Sequence, residues 1–543
     1  MNKKLFFIVL FFLSQIPILL NADCTGIKAC DCKVSSHTFF SIRPVFTVVS
    51  PEYLAHNRNL YREYNDSCGS SFQATILGGK STHNDALARF FLPFCNPTIR
   101  VNELAIPGDI LAANLNIYTT GSTFASSVEF KPHHSYAGVG LNYQKKFWQD
   151  CNGNGLWFSV SGPILRVHNR IEIIETISTT GGAPLASPAL TPTADGCPAA
   201  CPNSCNDNCI LDPAQALPPV GSVTAAFAQP GWCFGRIDNS DANKKNHRKT
   251  RVGDITARIG YELVKNDCCH LDSFVGAIIP TGNRPKAIQM FEPMVGHNHH
   301  WGIVLGGNMG MQVWQNCRGD TTIYAECDAS ITDLFARNER RSFDLKYKPW
   351  SRYMQFYKNV AQAQLAANSA NPTYALILHT PGIDILTQDL KVKPGFYRSF
   401  NGAFILQRCC FEVEVGYNFF ARQAECVKLG KCEFPTGAAL KDVIIGGGQT
   451  GRYQTINNNF GNNCAGTPVA SFADNVITVD DLNLESAAHP AYLTHTLYGS
   501  FAYKFDGCND YPTYFAVGGS YEFGPDNASL NRWMAWGKFG IAF

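Results

Sequence analysis

The last eleven residues, WMAWGKFGIAF (533–543), decide how the rest of the chain is read. Read with the period of a β-strand, one face carries Trp533, Ala535, Gly537, Phe539, Ile541 and Phe543. The other carries Met534, Trp536, Lys538, Gly540 and Ala542. Successive side chains of a strand point to opposite faces, so each set covers one surface of a sheet. A tilted strand of about 9–11 residues spans the apolar thickness of a bilayer. This stretch has that length and ends on an aromatic residue.

In this alternation and in its terminal Phe543 the stretch resembles the closing strand of Gram-negative outer-membrane β-barrels. The resemblance implies an all-β fold, a transmembrane antiparallel up-and-down barrel, in the cell outer membrane. It also implies that Phe543, Ile541 and Phe539 form the signal read by the barrel-assembly machinery.

The chain opens Met1-Asn2-Lys3-Lys4, runs apolar from Leu5 to Leu20, and reaches Asn21-Ala22-Asp23-Cys24. A charged start, a short apolar core and a small residue at the cut predict an export signal over 1–22. After residue 24 no run reaches the 18 or more apolar residues of a membrane helix. A membrane location therefore requires a closed barrel, the other structure that satisfies every backbone group in lipid. The composition agrees: 12% aromatic, 46 Gly and only 16% charged residues, with a mean hydropathy of -0.11. Alternating strands hide their hydrophobicity in such averages. A net charge of +2 lacks the basic excess of a nucleic-acid partner. The 21 cysteines point to an oxidising compartment, and their odd number leaves at least one unpaired or joined to another molecule.

Working back from the C-terminus, the same rhythm recurs. In VGDITARIGYEL (252–263), Gly253, Ile255, Ala257, Ile259, Tyr261 and Leu263 oppose Asp254, Thr256, Arg258 and Glu262. In FEVEVGYNFFA (411–421), Phe411, Val413, Val415, Tyr417 and Phe419 oppose Glu412, Glu414 and Asn418. Many strands run to 11–14 residues, against about 5–6 in soluble proteins. Short connections (149–155, 265–270, 315–321, 409–410, 506–512) alternate with long ones (about 175–250, 282–300, 337–394 and 423–492). If the last strand ends at the periplasm, every short turn falls on that side and every long loop on the other. That is the asymmetry of a transmembrane barrel. Eleven strands follow residue 136 and at least one precedes it, giving about twelve, or fourteen if 39–80 adds a hairpin to the wall. The barrel proper is expected over 106–543. The N-terminal segment 23–105 holds a strand-like FFSIRPVFTVV (39–49), a helix opened by Pro51 and a short helix over 83–94. It forms either early wall strands with a helical loop or an inward plug.

The polar strand faces supply pore-lining candidates: Asp254, Arg258, Glu262, Glu412 and Glu414. Rings of charge of both signs select solutes by electrostatics. Cysteine is concentrated in the short turns, at Cys151, Cys268, Cys269, Cys317, Cys409, Cys410 and Cys508, and in the N-terminal Cys24, Cys30 and Cys32, assigned to the same side. These are disulfide candidates, within the chain or between copies of it. Cys197, Cys201, Cys205 and Cys209 recur every four residues in a long loop, a spacing that suits disulfides better than the Cys-x2-Cys pairs of zinc sites.

The histidine cluster Gly296-His297-Asn298-His299-His300 lets at most two imidazoles converge and reads as a solvated loop. The Gly446-Gly447-Gly448 run lacks the strand–helix context of a nucleotide site. No nucleophile–base spacing stands out. The chain is therefore expected to be no enzyme and to need no metal or cofactor. Its expected partners are outer-membrane lipid, small hydrophilic solutes and other copies joined through disulfides. The function so indicated is porin-like diffusion; the alternative is a structural or adhesive surface barrel with a plugged lumen and outward cysteine-rich loops.

Overall fold

The computed structural model describes residues 36–58, 60, 69–93, 96–102, 110–118, 124–150, 154–179, 219–229, 232–237, 247–266, 268–346, 348–363, 379–430, 434, 437–441, 453–454, 468–469, 476–505 and 511–543. The export signal, Cys24, Cys30, Cys32, Cys151, Cys197, Cys201, Cys205, Cys209, Cys508 and Gly446–Gly448 lie outside them.

Twelve antiparallel strands close on themselves into a barrel. They are β1 (Ser70–Ser81), β2 (Ala125–Gln149), β3 (Gly155–Thr179), β4 (Ile255–Lys265), β5 (Cys269–Ile279) and β6 (Gly302–Gln315), followed by β7 (Thr321–Leu334), β8 (Tyr397–Arg408), β9 (Phe411–Arg422), β10 (Tyr492–Phe505), β11 (Thr513–Phe523) and β12 (Arg532–Ala542). Each pairs with its sequence neighbours, and β1 closes the ring on β12. The seam runs from Ser71 opposite Ala542 to Ser81 opposite Arg532. Below it Ser70 N donates to Phe543 O at 2.7 Å and Phe543 N to Ser70 O at 2.9 Å. The wall therefore begins at Ser70 and has twelve strands, not fourteen.

The alternation read from the sequence is inverted relative to a soluble protein. On β9, Val415 is 61% exposed and its neighbour Glu414 is wholly buried. Ile76 (69%) and Phe404 (65%) likewise face outward. On β12, Trp533 and Phe539 face outward while Met534, Trp536 and Lys538 are buried inside.

All short turns lie at one end of the barrel, together with the start of β1 and the end of β12; all long connections lie at the other. At the long end β2 and β3 run to 25 residues each. There the connections fold together into a cap. One cap core gathers Phe90, Phe91, Phe130, Phe227, Trp350 and Tyr353; a second gathers Phe343, Phe356, Leu390, Leu440 and Ile477. Trp350 Nε1 donates to Phe91 O at 2.9 Å, tying two loops far apart in sequence.

Residues 36–58 and Leu60 do not join the wall. FFSIRPVFTVV (39–49) forms no strand, because every wall strand already has a partner on both sides and offers it no free edge. The segment instead threads the lumen lengthwise. At the cap end His37 N donates to Phe90 O and Thr38 N to Ser486 O. At the turn end Leu60 packs with Ala502, Tyr514 and Ala542. Between them lies helix α1 (Pro51–Leu54), opened by Pro51 as the sequence indicates. A longer helix, α2 (Asn84–Phe91), follows β1 and packs into the cap. The start of the described chain therefore lies at the cap end, not on the side of the short turns. Cys24, Cys30 and Cys32, which the sequence reading assigns to the side of the short turns, lie outside the described residues.

Candidate functional site

The lumen is built from polar side chains on the inward parity of the strands and from the segment that fills it. Asp254, Arg258, Glu262, Glu412 and Glu414 are all buried inside the barrel. None lines an open bore, because each is engaged.

Glu412 pairs with His56 of the segment and with Lys504 at 3.2 Å, and accepts from Gln407 Nε2 at 2.9 Å. Glu414 accepts from Arg58 Nη1 at 2.7 Å, from Tyr498 Oη at 2.8 Å and from His56 N at 3.2 Å. Arg258 donates to Tyr53 Oη and, at 3.0 Å, to Ser159 Oγ. Its guanidinium also lies 5.0 to 5.6 Å from the rings of Phe274, Tyr53 and Trp157. Glu262 pairs with Lys146 at 2.8 Å. Asp254 pairs with His297 Nδ1 at 2.7 Å.

Further contacts were not legible from motif or spacing. Arg58 Nε donates to Asp328 on β7 at 2.8 Å. Arg43, higher in the lumen, reaches Glu522 at 3.2 Å and Asn418 Oδ1 at 2.6 Å. Lys538 on the terminal strand gives its ammonium to the carbonyls of Tyr53 (2.9 Å) and Ala55 (2.5 Å) at the end of α1. Phe46 lies flat on the wall at Gly140, where any Cβ would meet its ring at 2.2 Å. The signal available for these residues was charge on inward strand positions, at Asp328, Glu522 and Lys538. Charge inside an apolar-walled barrel demands a partner.

His56, Glu412 and Glu414 place three ligand atoms within 4.8 Å of one another, a spacing that suits a divalent cation. Lys504 and Arg58 already neutralise both carboxylates there, so the trio reads as an electrostatic latch between segment and wall. The histidine cluster at 297–300 does not converge. His297 binds Asp254, His300 binds Glu339 and the Phe335 carbonyl, and His299 binds the Gly282 carbonyl. His297 and His300 are buried rather than solvated, which corrects the solvated-loop reading.

Two loop carboxylates show how the cap handles charge. Burial penalises the Glu425 carboxylate, but the guanidiniums of Arg341 and Arg422 outweigh it and hold its pKa well below the usual range. Glu292 has backbone donors from Lys286 and Ala287 at 2.8 and 2.9 Å but no close guanidinium, and burial pushes its pKa up to about 7.

At the turn end Cys268, Cys269, Cys317, Cys409 and Cys410 are free thiols. The expected disulfides within the chain are absent at these five positions; Cys268, Cys317 and Cys409 stand exposed on separate turns. Cys233 and Cys426 are disulfide-bonded.

Outside, the apolar belt is bounded by aromatic residues at both ends. Trp301, Phe335, Tyr521 and Trp533 mark the cap side, and Trp148, Trp314, Phe505 and Phe543 the turn side. A closed ring with no free edge, an apolar exterior and two aromatic girdles is the solution that lipid imposes on β-structure. The chain has the fold of an outer-membrane-type β-barrel. No family model and no curated protein matches it. Among solved structures it is similar to an outer membrane channel from Pseudomonas putida F1, at 8% identity and a TM-score of 0.35, covering 88% of this chain and 95% of that one. It is also similar to a Pseudomonas aeruginosa FadL homologue (7%, 0.25, 94% and 97%) and to OmpT of Vibrio cholerae (7%, 0.20, 88% and 98%). At these scores the functional reading of the barrel rests on its own lumen.

Proposed function

We propose that the barrel is a transport channel for small hydrophilic solutes that its own N-terminal segment holds shut. The observation that carries this reading is the chemistry of the wall beneath the segment. A barrel needed only as a scaffold is most simply filled with apolar side chains. This wall instead carries Asp328, Glu412, Glu414, Arg258 and Lys538, each matched by a group on residues 53–58. Displacing the segment would leave a charged, wettable bore of mixed sign, suited to ions and polar solutes. Free diffusion in the resting state, as in an open porin, does not fit a lumen whose polar groups are already engaged.

A second reading is favoured by the cap. Its loops enclose two apolar cores and form a folded outer body, which suits a structural or adhesive surface barrel. Planar-bilayer recording separates the two. The transport reading expects rare openings from the intact protein and prolonged ones from a His56→Ala/Arg58→Ala variant. Silence from a variant whose segment is demonstrably loosened would refute transport and favour the surface role. The disulfides at Cys233 and Cys426 and the free turn thiols fit a barrel reinforced by covalent links, some between neighbouring copies.

A further inference from the structure

The outer wall is not uniformly apolar at its cap-side rim. Paired residues on adjacent strands face the same side of a sheet, so rows of side chains can be followed around the barrel through the register. One row runs Tyr521, Trp533, Lys80, Ser135 and His168, and continues to Arg248 on the short strand Arg248–Val252 that lies against β3. It thus leaves the aromatic girdle at Trp533 and becomes cationic at Lys80. Two residues below His168 on the same face of β3 is Arg166, and two above is Arg170, paired with His133 of β2. Lys80, Arg166, Arg170 and Arg248 are exposed. The acidic group among them is Glu172, which lies 3.9 Å from Arg170 and 3.6 Å from His133.

Immediately below this patch the wall is apolar. Ile164 follows Arg166 two residues down the same face of β3 and is 47% exposed; Val160, Leu141 and Ile76 continue the surface. Neighbouring strands lie about 4.8 Å apart, so the cations span roughly 15 Å along the rim. That is the width of a lipid headgroup rather than of a single ion. The height is fixed by Trp533, since girdle residues lie at headgroup level.

We propose that this face of β1, β2 and β3 binds a lipid with a phosphorylated headgroup in the leaflet around the cap-side rim. The phosphates meet Lys80, Arg166, Arg170 and Arg248, and the acyl chains lie along Ile76, Leu141, Val160 and Ile164. Guanidinium groups suit phosphate oxygens because their paired donors match them. The site rests on the barrel's membrane embedding and not on the gated-channel reading, so either can fail alone.

The test uses the full chain, folded in detergent and exchanged into phosphatidylcholine vesicles with or without bisphosphorylated lipid A, or its dephosphorylated form. Lipid retained per barrel is measured by native mass spectrometry. The phosphorylated form should be retained preferentially, and less so at high salt. The quadruple variant K80Q/R166Q/R170Q/R248Q should retain about tenfold less or lower still. Equal retention of the phosphorylated and dephosphorylated forms by the unaltered protein would overturn the proposal, with no variant needed. So would full retention by a variant that still shifts mobility on boiling. Displacement by soluble polyphosphate alone, with no preference among vesicles, would assign the patch to a soluble polyanion and refute the lipid.

Discussion

Arg58→Ala isolates the latch between segment and wall. Arg58 joins Asp328 at 2.8 Å and Glu414 at 2.7 Å, and the side chains of those carboxylates are 4% and 0% exposed. The substitution leaves two buried carboxylates without their guanidinium. Breaking a buried ion pair from one side costs about 3–5 kcal/mol. At about 1.4 kcal/mol per factor of ten, the seating equilibrium of the segment falls by roughly 100- to 4,000-fold. Hydrogen exchange on the folded barrel reads this directly. The amides of Phe46 and His56, which donate to Glu52 and Glu414, should exchange faster by a comparable factor. Amides in the β1–β12 seam should keep their protection. Adding Glu414→Gln and Asp328→Asn removes the stranded charges and should recover much of the protection. Unchanged exchange at Phe46 and His56 in the single variant would refute the latch. A loss spread equally over the wall would show that Arg58 supports the barrel rather than the seat of its plug.

Three further outcomes follow from the loops and turns. The folded-state pKa of Glu425 is depressed, so its stabilising share is present above its ordinary value, about 4.5, and is lost as pH falls through the folded value; limited proteolysis should find the cap opening in acid, and Arg341→Ala should open it at neutral pH. The pKa of Glu292 is raised to about 7, so the native state holds the extra proton between about 4.5 and 7 and stability falls as pH rises through that window; Glu292→Gln should flatten the pH dependence of exchange at Lys286 and Ala287. The exposed thiols of Cys268, Cys317 and Cys409 should take up a maleimide without reductant, and mild oxidation should give a reductant-sensitive ladder on electrophoresis; a ladder that persists after all three are changed to serine would place the cross-links elsewhere.

The wall was legible because lipid leaves so few solutions. Phe411, Val413 and Val415 against Glu412 and Glu414 state which face meets lipid, and the parity of short and long connections orders the strands. The lumen was legible only in part. The inward position of Asp254, Arg258, Glu262, Glu412 and Glu414 follows from alternation, but their partners arrive from sequence distances of up to several hundred residues. FFSIRPVFTVV has the β-branched and aromatic content of a strand, and propensity yields to context when no edge is free to pair. The cap was hidden for a related reason. Phe343 and Leu390 come from the connection before β8, Leu440 and Ile477 from the one before β10, and no local period marks them as one core. His297 and His300 looked solvated because Asp254 and Glu339, which bury them, lie about 40 residues away in opposite directions along the chain.

The route of the N-terminal segment makes the molecule a thread through a ring. The β1–β12 seam forbids a sideways exit, and Ser70 anchors the trailing end at the turn side. A withdrawal that empties the bore of chain can therefore proceed only toward the turns, with Ser36 travelling the full length of the bore. Anything bulkier than the bore and joined ahead of Ser36 would act as a knot on that thread. Opening would then be governed by what is tied to the leading end, however weakly the wall itself holds on.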